Sequence, residues 1–105
     1  MTDAVLALLG ISAKGGRVKS GEFSVEESIK SFKAFLVIIA ADASENTTKK
    51  FTDMCTYREI PFYRYATKET LGRALGKDIR STCAVTDEGL AKALIKKLVA
   101  TEEKN

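Results

Sequence analysis

Six apolar residues in succession, Phe35-Leu36-Val37-Ile38-Ile39-Ala40, constrain the fold of this chain more than any other feature. A strand sends alternate side chains to opposite faces, so a strand without polar alternation must be covered on both. The whole apolar run, Ala34 to Ala41, has eight residues. That is short for a helix and far below the ~18 a membrane span needs, so no membrane partner is expected. The run predicts the central strand, Leu36 to Ala40, of a sheet with helices on both sides.

The remaining segments fit that frame. Val5, Leu8 and Leu9 recur at helical spacing after Thr2-Asp3 caps, which predicts a first helix ending at Gly10 or soon after. Arg17-Val18-Lys19-Ser20 follows Gly15-Gly16 as a short edge strand. Ser24-Val25-Glu26-Glu27 has the spelling of a capping box, with Val25, Ile29 and Phe32 on one face of a second helix. Asp42-Ala43-Ser44 supplies caps for a third helix carrying Phe51, Met54 and Cys55 inward, which must end before Pro61. Phe62 to Tyr65 reads as a strand. Thr67 caps a fourth, short helix through Leu71, Ala74 and Leu75, closed by Gly76. Ser81 to Val85 is the fourth strand, and Thr86-Asp87-Glu88 caps a last helix with Leu90, Leu94 and Leu98 inside. The polar tail from Thr101 to Asn105 is expected to fray. Five helices alternating with four strands predict an α/β fold, a three-layer α/β/α sandwich around a four-stranded mixed sheet. At 105 residues the chain is expected to form one domain, residues 1–105.

Composition bears mainly on chemistry. The chain has no histidine. That removes the commonest general base, any Ser-His-Asp or Cys-His arrangement, and most zinc and haem ligand sets. Cys55 and Cys83 lie in apolar stretches without a CxxC pattern, so both are expected to be buried, unlinked thiols of a cytoplasmic protein. Asp3 stands where a signal peptide needs a basic region. Gly10 to Arg17 superficially looks like a phosphate-binding loop, but Gly16-Arg17 replaces its Lys-Ser/Thr pair and a helix precedes it. Glu26 and Glu27 point about 100° apart on a helix and cannot flank one bond. Asp42 follows the central strand, where α/β sheets place catalytic carboxylates, but no second acid, base or nucleophile accompanies it. The chain is therefore expected to be no enzyme, with no cofactor and no metal. A formal net charge of +3 permits a polyanionic partner without requiring one.

Specific stretches then match a known pattern. Lys33 to Asp42 after a capped helix, Ile60-Pro61-Phe62, and Thr67-Lys68-Glu69-Thr70-Leu71-Gly72-Arg73-Ala74-Leu75-Gly76, of the form E-x-L-G-R-A-x-G, resemble the kink-turn-binding ribosomal protein family of the L-seven-Ae type. Asp42 to Lys50 and Ala84 to Gly89 bring the likeness closest to its small bacterial YlxQ-like branch. Gly72 gives the match a physical sense. Glycine within a helix costs ~1 kcal/mol against alanine and belongs where backbone approaches closely.

The resemblance implies binding of structured RNA containing a sharp kink, of kink-turn or ribosomal RNA type, as a monomer that is ribosome-associated or acts elsewhere. In the family the second helix presents its N-terminal end, spelled G-x-N-E-x-x-K, to that RNA. Here Gly21 matches the glycine, while Phe23, Ser24 and Glu27 stand at the asparagine, acidic and lysine positions. Phe32, Phe35 and Ala41 are further departures. Phe23 can stack on an unpaired base or staple onto its own helix. Arg73 faces a partner or solvent. Lys14, Arg17, Lys19, Arg73, Lys77 and Arg80, with Ser81 in the loop Asp78 to Thr82, either form one phosphate-binding patch beside Gly21 or a scattered basic surface. The alternative function is a protein-interaction module on the same fold, using exposed Phe23, Phe32 or Phe35.

Overall fold

The computed structural model describes residues 3–103. Among them the elements run α1 (Ala4–Lys14), β1 (Val18–Ser20), α2 (Glu22–Lys30), β2 (Leu36–Ile39), α3 (Glu45–Arg58), β3 (Phe62–Arg64), α4 (Lys68–Ala74), β4 (Thr82–Val85) and α5 (Glu88–Glu103). The spatial order is β1-β4-β2-β3. β4 lies antiparallel to both β1 and β2, and β2 lies parallel to β3, so the sheet is mixed with β1 and β3 at its edges.

The apolar run explains the layers. All four residues of β2 are buried. Leu36 and Ile38 join Val5, Leu9, Leu71, Leu94 and Leu98 on the face covered by α1, α4 and α5. Val37 and Ile39 join Val25, Ile29, Phe51 and Cys55 on the face covered by α2 and α3. Period-two alternation thus feeds two separate cores. Cys83 and Ala84 of β4 divide between the cores in the same way. Both thiols are free and buried. Burial pushes Cys55 up to about 11, partly offset by Arg58, and Cys83 up to about 12.

Several local expectations are corrected. Gly10 does not end α1. It lies within the helix, where a Cβ would stand 3.0 Å from Ala74 O, and the helix closes at Gly15 and at Gly16, whose φ is 74°. Asp3 caps α1 by accepting from Leu6 N at 3.0 Å, whereas Thr2 lies outside the described residues. The stretch resembling a phosphate-binding loop is therefore mostly helix.

Ser24 and Glu27 form no capping box: Ser24 sits inside α2, which begins after Gly21. Phe32 does not continue the buried face. It lies past the end of α2 at φ 59° and is 72% exposed. Phe35 precedes β2 and is 40% exposed, so coverage on both faces starts at Leu36. The expected frayed tail is helical through Glu103, with residues 104–105 outside the described region. Three other caps behave as expected. Ser44 accepts from Thr47 N at 3.1 Å, Thr67 and Thr70 form a reciprocal box, and Asp87 accepts from Leu90 N at 2.9 Å. No helix among the described residues is long and apolar enough to cross a membrane.

Candidate functional site

The start of α2 is set by tertiary structure. β1 pairs Ser20 with Cys83, and Gly21 then donates its N–H to Thr82 O at 3.3 Å. To turn from that strand into the helix, Gly21 takes φ 91° and ψ 148°, a conformation open to glycine and strained for other residues. A Cβ at Gly21 would meet nothing within 4 Å, so the surface over this turn is open. Gly21 also makes no side-chain cap. The N–H groups of the first helical turn are thereby left to solvent or to a ligand.

The loop between α4 and β4 is held against this turn. In α4, a Cβ at Gly72 would lie 2.6 Å from Asp78 O and 2.9 Å from Ile79 Cα, so only glycine lets the loop lie on the helix at this distance. Lys77 donates its N–H back to Gly72 O at 2.8 Å. Arg80 donates from its backbone to Lys68 O at 3.1 Å, from Nε to Ser20 Oγ at 3.1 Å and from a guanidinium NH2 group to Ile79 O at 2.8 Å. Ser81 O accepts from Ala40 N at 2.8 Å. A guanidinium is thus fixed beside the residue preceding Gly21. Behind it, Thr82 Oγ1 is buried without a hydrogen-bond partner among the described residues.

Of the candidate residues, Gly21, Ser24, Phe23, Lys19, Arg80 and Ser81 therefore gather around the start of α2. Phe23 is 80% exposed and staples to nothing. Lys19 shares a cleft with Phe23 and Ser24. Lys77 lies exposed in the α4–β4 loop. Lys14 and Arg73 are elsewhere, lining with Leu6 and Ile11 a groove of about 500 Å³ between α1 and α4. Arg73 pairs there with Glu69 at 3.1 Å. Arg17 stands at the other end of β1, where its carbonyl accepts from Thr86 N at 2.9 Å. Four residues of extended chain put it roughly 13 Å from Gly21.

Two acidic residues anchor α2 to α3. Glu26 bonds Lys30 at 2.7 Å and Lys50 at 2.6 Å, and Glu22 accepts from Thr47 Oγ1 at 3.0 Å. The hydrogen bonds from Lys30 and then Lys50 pull Glu26 down to about 2. Asp42 has no catalytic partner and does not cap α3. Its Oδ1 accepts from Lys68 N at 2.8 Å, capping α4 instead. Among the described residues no group of His, Cys, Asp and Glu could hold a metal ion.

Ser20, which orients Arg80, and Thr82, whose carbonyl holds Gly21, carried no signal of these roles in the sequence, because the roles arise only where β1 and β4 meet the start of α2.

A model of the "ribosomal protein L7Ae/L30e/S12e/Gadd45 family" matches residues 3–95. The chain is 43% identical over 88 residues to RNA-binding protein YlxQ of Bacillus subtilis, spanning 84% of this chain and 88% of that one. It is 26% identical over 102 residues to large ribosomal subunit protein eL8 of Cenarchaeum symbiosum, spanning 96% of this chain and 81% of that one. A solved structure of a protein with unknown function from Bacillus halodurans superposes with a TM-score of 0.89 at 32% identity, covering 92% of this chain and 98% of the other.

Proposed function

Since the chain belongs to the ribosomal protein L7Ae/L30e/S12e/Gadd45 family, which is not a family of enzymes, we propose that it binds structured RNA of the kink-turn type. Residues 1–105 act as one RNA-binding domain and as a monomer. The observation that carries this reading is the uncapped start of α2 at Gly21, set beside Arg80. Unsatisfied N–H groups and a fixed guanidinium suit a phosphate brought close by a bend in the RNA, and the open surface over Gly21 admits the backbone. Lys19, Lys77 and Arg80 supply phosphate contacts, Ser24 a base-edge or sugar contact, and Phe23 a stacking face. Lys14, Arg17 and Arg73 act as outlying charges on longer RNA. The ribosomal name of the archaeal relative supports ribosomal RNA as a source. The buried, unlinked thiols support a reducing, cytoplasmic setting.

The test is a titration of kink-turn RNA and plain duplex at two salt concentrations. Binding to the kinked RNA should be tighter and should weaken with salt, and Arg80→Ala should reduce the salt slope by about 1. Absence of binding at low salt refutes the proposal. The exposure of Phe23, Phe32 and Phe35 favours a second reading, a protein-interaction module on the same fold, which that failure would promote.

A further inference from the structure

Helix α2 offers a second surface that its N-terminus does not account for. A cleft of about 260 Å³ brings Lys19 of β1 and Lys33, just beyond α2, together with Phe23, Ser24, Glu27 and Ser31. Phe23 stands at one end of α2 and Phe32 just past the other, so their backbone positions are roughly 13 Å apart along the helix axis at a rise of ~1.5 Å per residue. Ser31 and Lys33, the chain neighbours of Phe32, both line the cleft.

Neither packing nor backbone preference explains Phe32. Its φ of 59° is one that bulky residues rarely adopt, and at 72% exposure its ring gains little burial in return. The lysines are divided in a telling way. Those between α2 and α3, Lys30 of α2 and Lys50 of α3, are both neutralised by Glu26. Among the described residues, Lys19 and Lys33 in the cleft have no carboxylate within ion-pairing distance.

Two exposed rings on residues about 13 Å apart along α2, with unpaired cations in the cleft beside the helix, call for a ligand with flat faces joined by negative charges. An unpaired nucleotide strand has that form. We infer that this cleft is a track for two or three unpaired ribonucleotides continuing from the RNA at the start of α2, their bases on Phe23 and Phe32 and their phosphates on Lys19 and Lys33. Glu27 disfavours phosphate on its side and accepts from a base amino group, which cytosine, adenine and guanine carry and uracil lacks. This inference rests on the RNA-binding reading above. A docked protein would meet the rings equally well but would have to neutralise both lysines.

The experiment compares a blunt-ended kink-turn RNA with the same RNA bearing a three-cytidine overhang at either strand end, and with free oligocytidine. Because Phe23 already serves the blunt RNA, the overhang adds one base stacked on Phe32 and should tighten binding roughly 5- to 150-fold. Phe32→Asn should abolish most of that gain without changing affinity for the blunt RNA, and Lys33→Ala should lower the salt slope on the overhang by about 0.7. Asparagine tolerates the left-handed conformation, so Phe32→Asn should melt no lower than the parent protein and loss of fold cannot mimic the result. If the blunt RNA binds and the overhang adds nothing, the track is overturned while the proposed function stands. If only overhang or oligocytidine binds, in a Phe32-dependent way, the track stands and the kink reading falls. Binding to none of the three overturns both.

Discussion

Replacing Gly72 by alanine sets two effects of opposite sign against each other. Alanine is the better helix former by ~1 kcal/mol, so in an isolated α4 the substitution would stabilise. In the folded protein the added Cβ would lie 2.6 Å from Asp78 O, which is 0.8 Å short of the 3.4 Å where ordinary contact begins. All three nearest atoms belong to backbone, so no side chain can swing aside. The loop must lift, and the hydrogen bonds from Lys77 N to Gly72 O and from Arg80 Nε to Ser20 Oγ are strained with it. Overpacking of this kind costs ~1–3 kcal/mol, and losing one of those bonds adds ~1. The net expectation is destabilisation by about 1–3 kcal/mol, a fall in melting temperature of roughly 4–24 °C. Urea and thermal denaturation followed by circular dichroism measure it. If Gly72→Ala is neutral or stabilising, the close approach of loop and helix is wrong, and with it the placement of Arg80.

Other perturbations probe separate parts of the molecule. Asp42→Ala removes the acceptor for Lys68 N and should cost about 1 kcal/mol in urea denaturation, whereas no loss would show that Thr67 caps α4 unaided. Glu26 is held near 2 in the folded protein against 4.5 unfolded, so the stability it contributes is present above pH 4.5 and lost as pH falls toward 2. Glu26→Gln should therefore flatten the acid limb of a stability-against-pH curve, and an unchanged limb would exclude the link between α2 and α3 as its source. Cys83 behaves in the opposite sense. Its thiol is raised from 9.0 to about 12, so its contribution is full below pH 9 and lost as pH rises through that window. Native protein at pH 8 should resist alkylation at both cysteines, as read by mass spectrometry, and rapid labelling would contradict their burial.

What could be read from the sequence was whatever is decided locally or by burial. β2 was legible because an uninterrupted apolar run admits few other fates, and Ser44, Thr67 and Asp87 were legible as caps because each acts three residues away. Errors came where a distant residue decides. Ser24 and Glu27 spell a capping box, but the hydrogen bond from Gly21 to Thr82, 61 positions on, fixes where α2 begins. Gly10 has the look of a helix stop and is instead a contact point for Ala74 O. Asp42 stands beside α3 in sequence but caps α4. For the candidate site, Gly21 and Gly72 could be singled out because glycine has a physical cost to be explained. The grouping of charges could not, since Lys14 lies seven positions from Gly21 yet faces the α1–α4 groove, while Arg80 lies 59 positions away and touches the neighbouring Ser20.

That arrangement also bears on how recognition would work. A formal charge of +3 spread over 105 residues gives weak long-range steering, and Arg73, Lys30 and Lys50 are already paired with carboxylates. Attraction at a distance is therefore a poor basis for selecting one RNA shape over another. Short-range fit is a better one, because the groups at the start of α2 are fixed before any ligand arrives. Gly21 is tied to β4, Arg80 to β1 and to α4, and Gly72 sets the loop that carries Arg80. Donors held in place lose little freedom on binding, so each contact retains more of its free energy than one made by a free surface lysine. Glu22, in the first turn of α2, works against phosphate there and is itself drawn aside by Thr47. In the proposed reading, discrimination between kinked and straight RNA then depends on whether the backbone can reach the open surface over Gly21 while a phosphate meets Arg80, a condition of shape more than of charge.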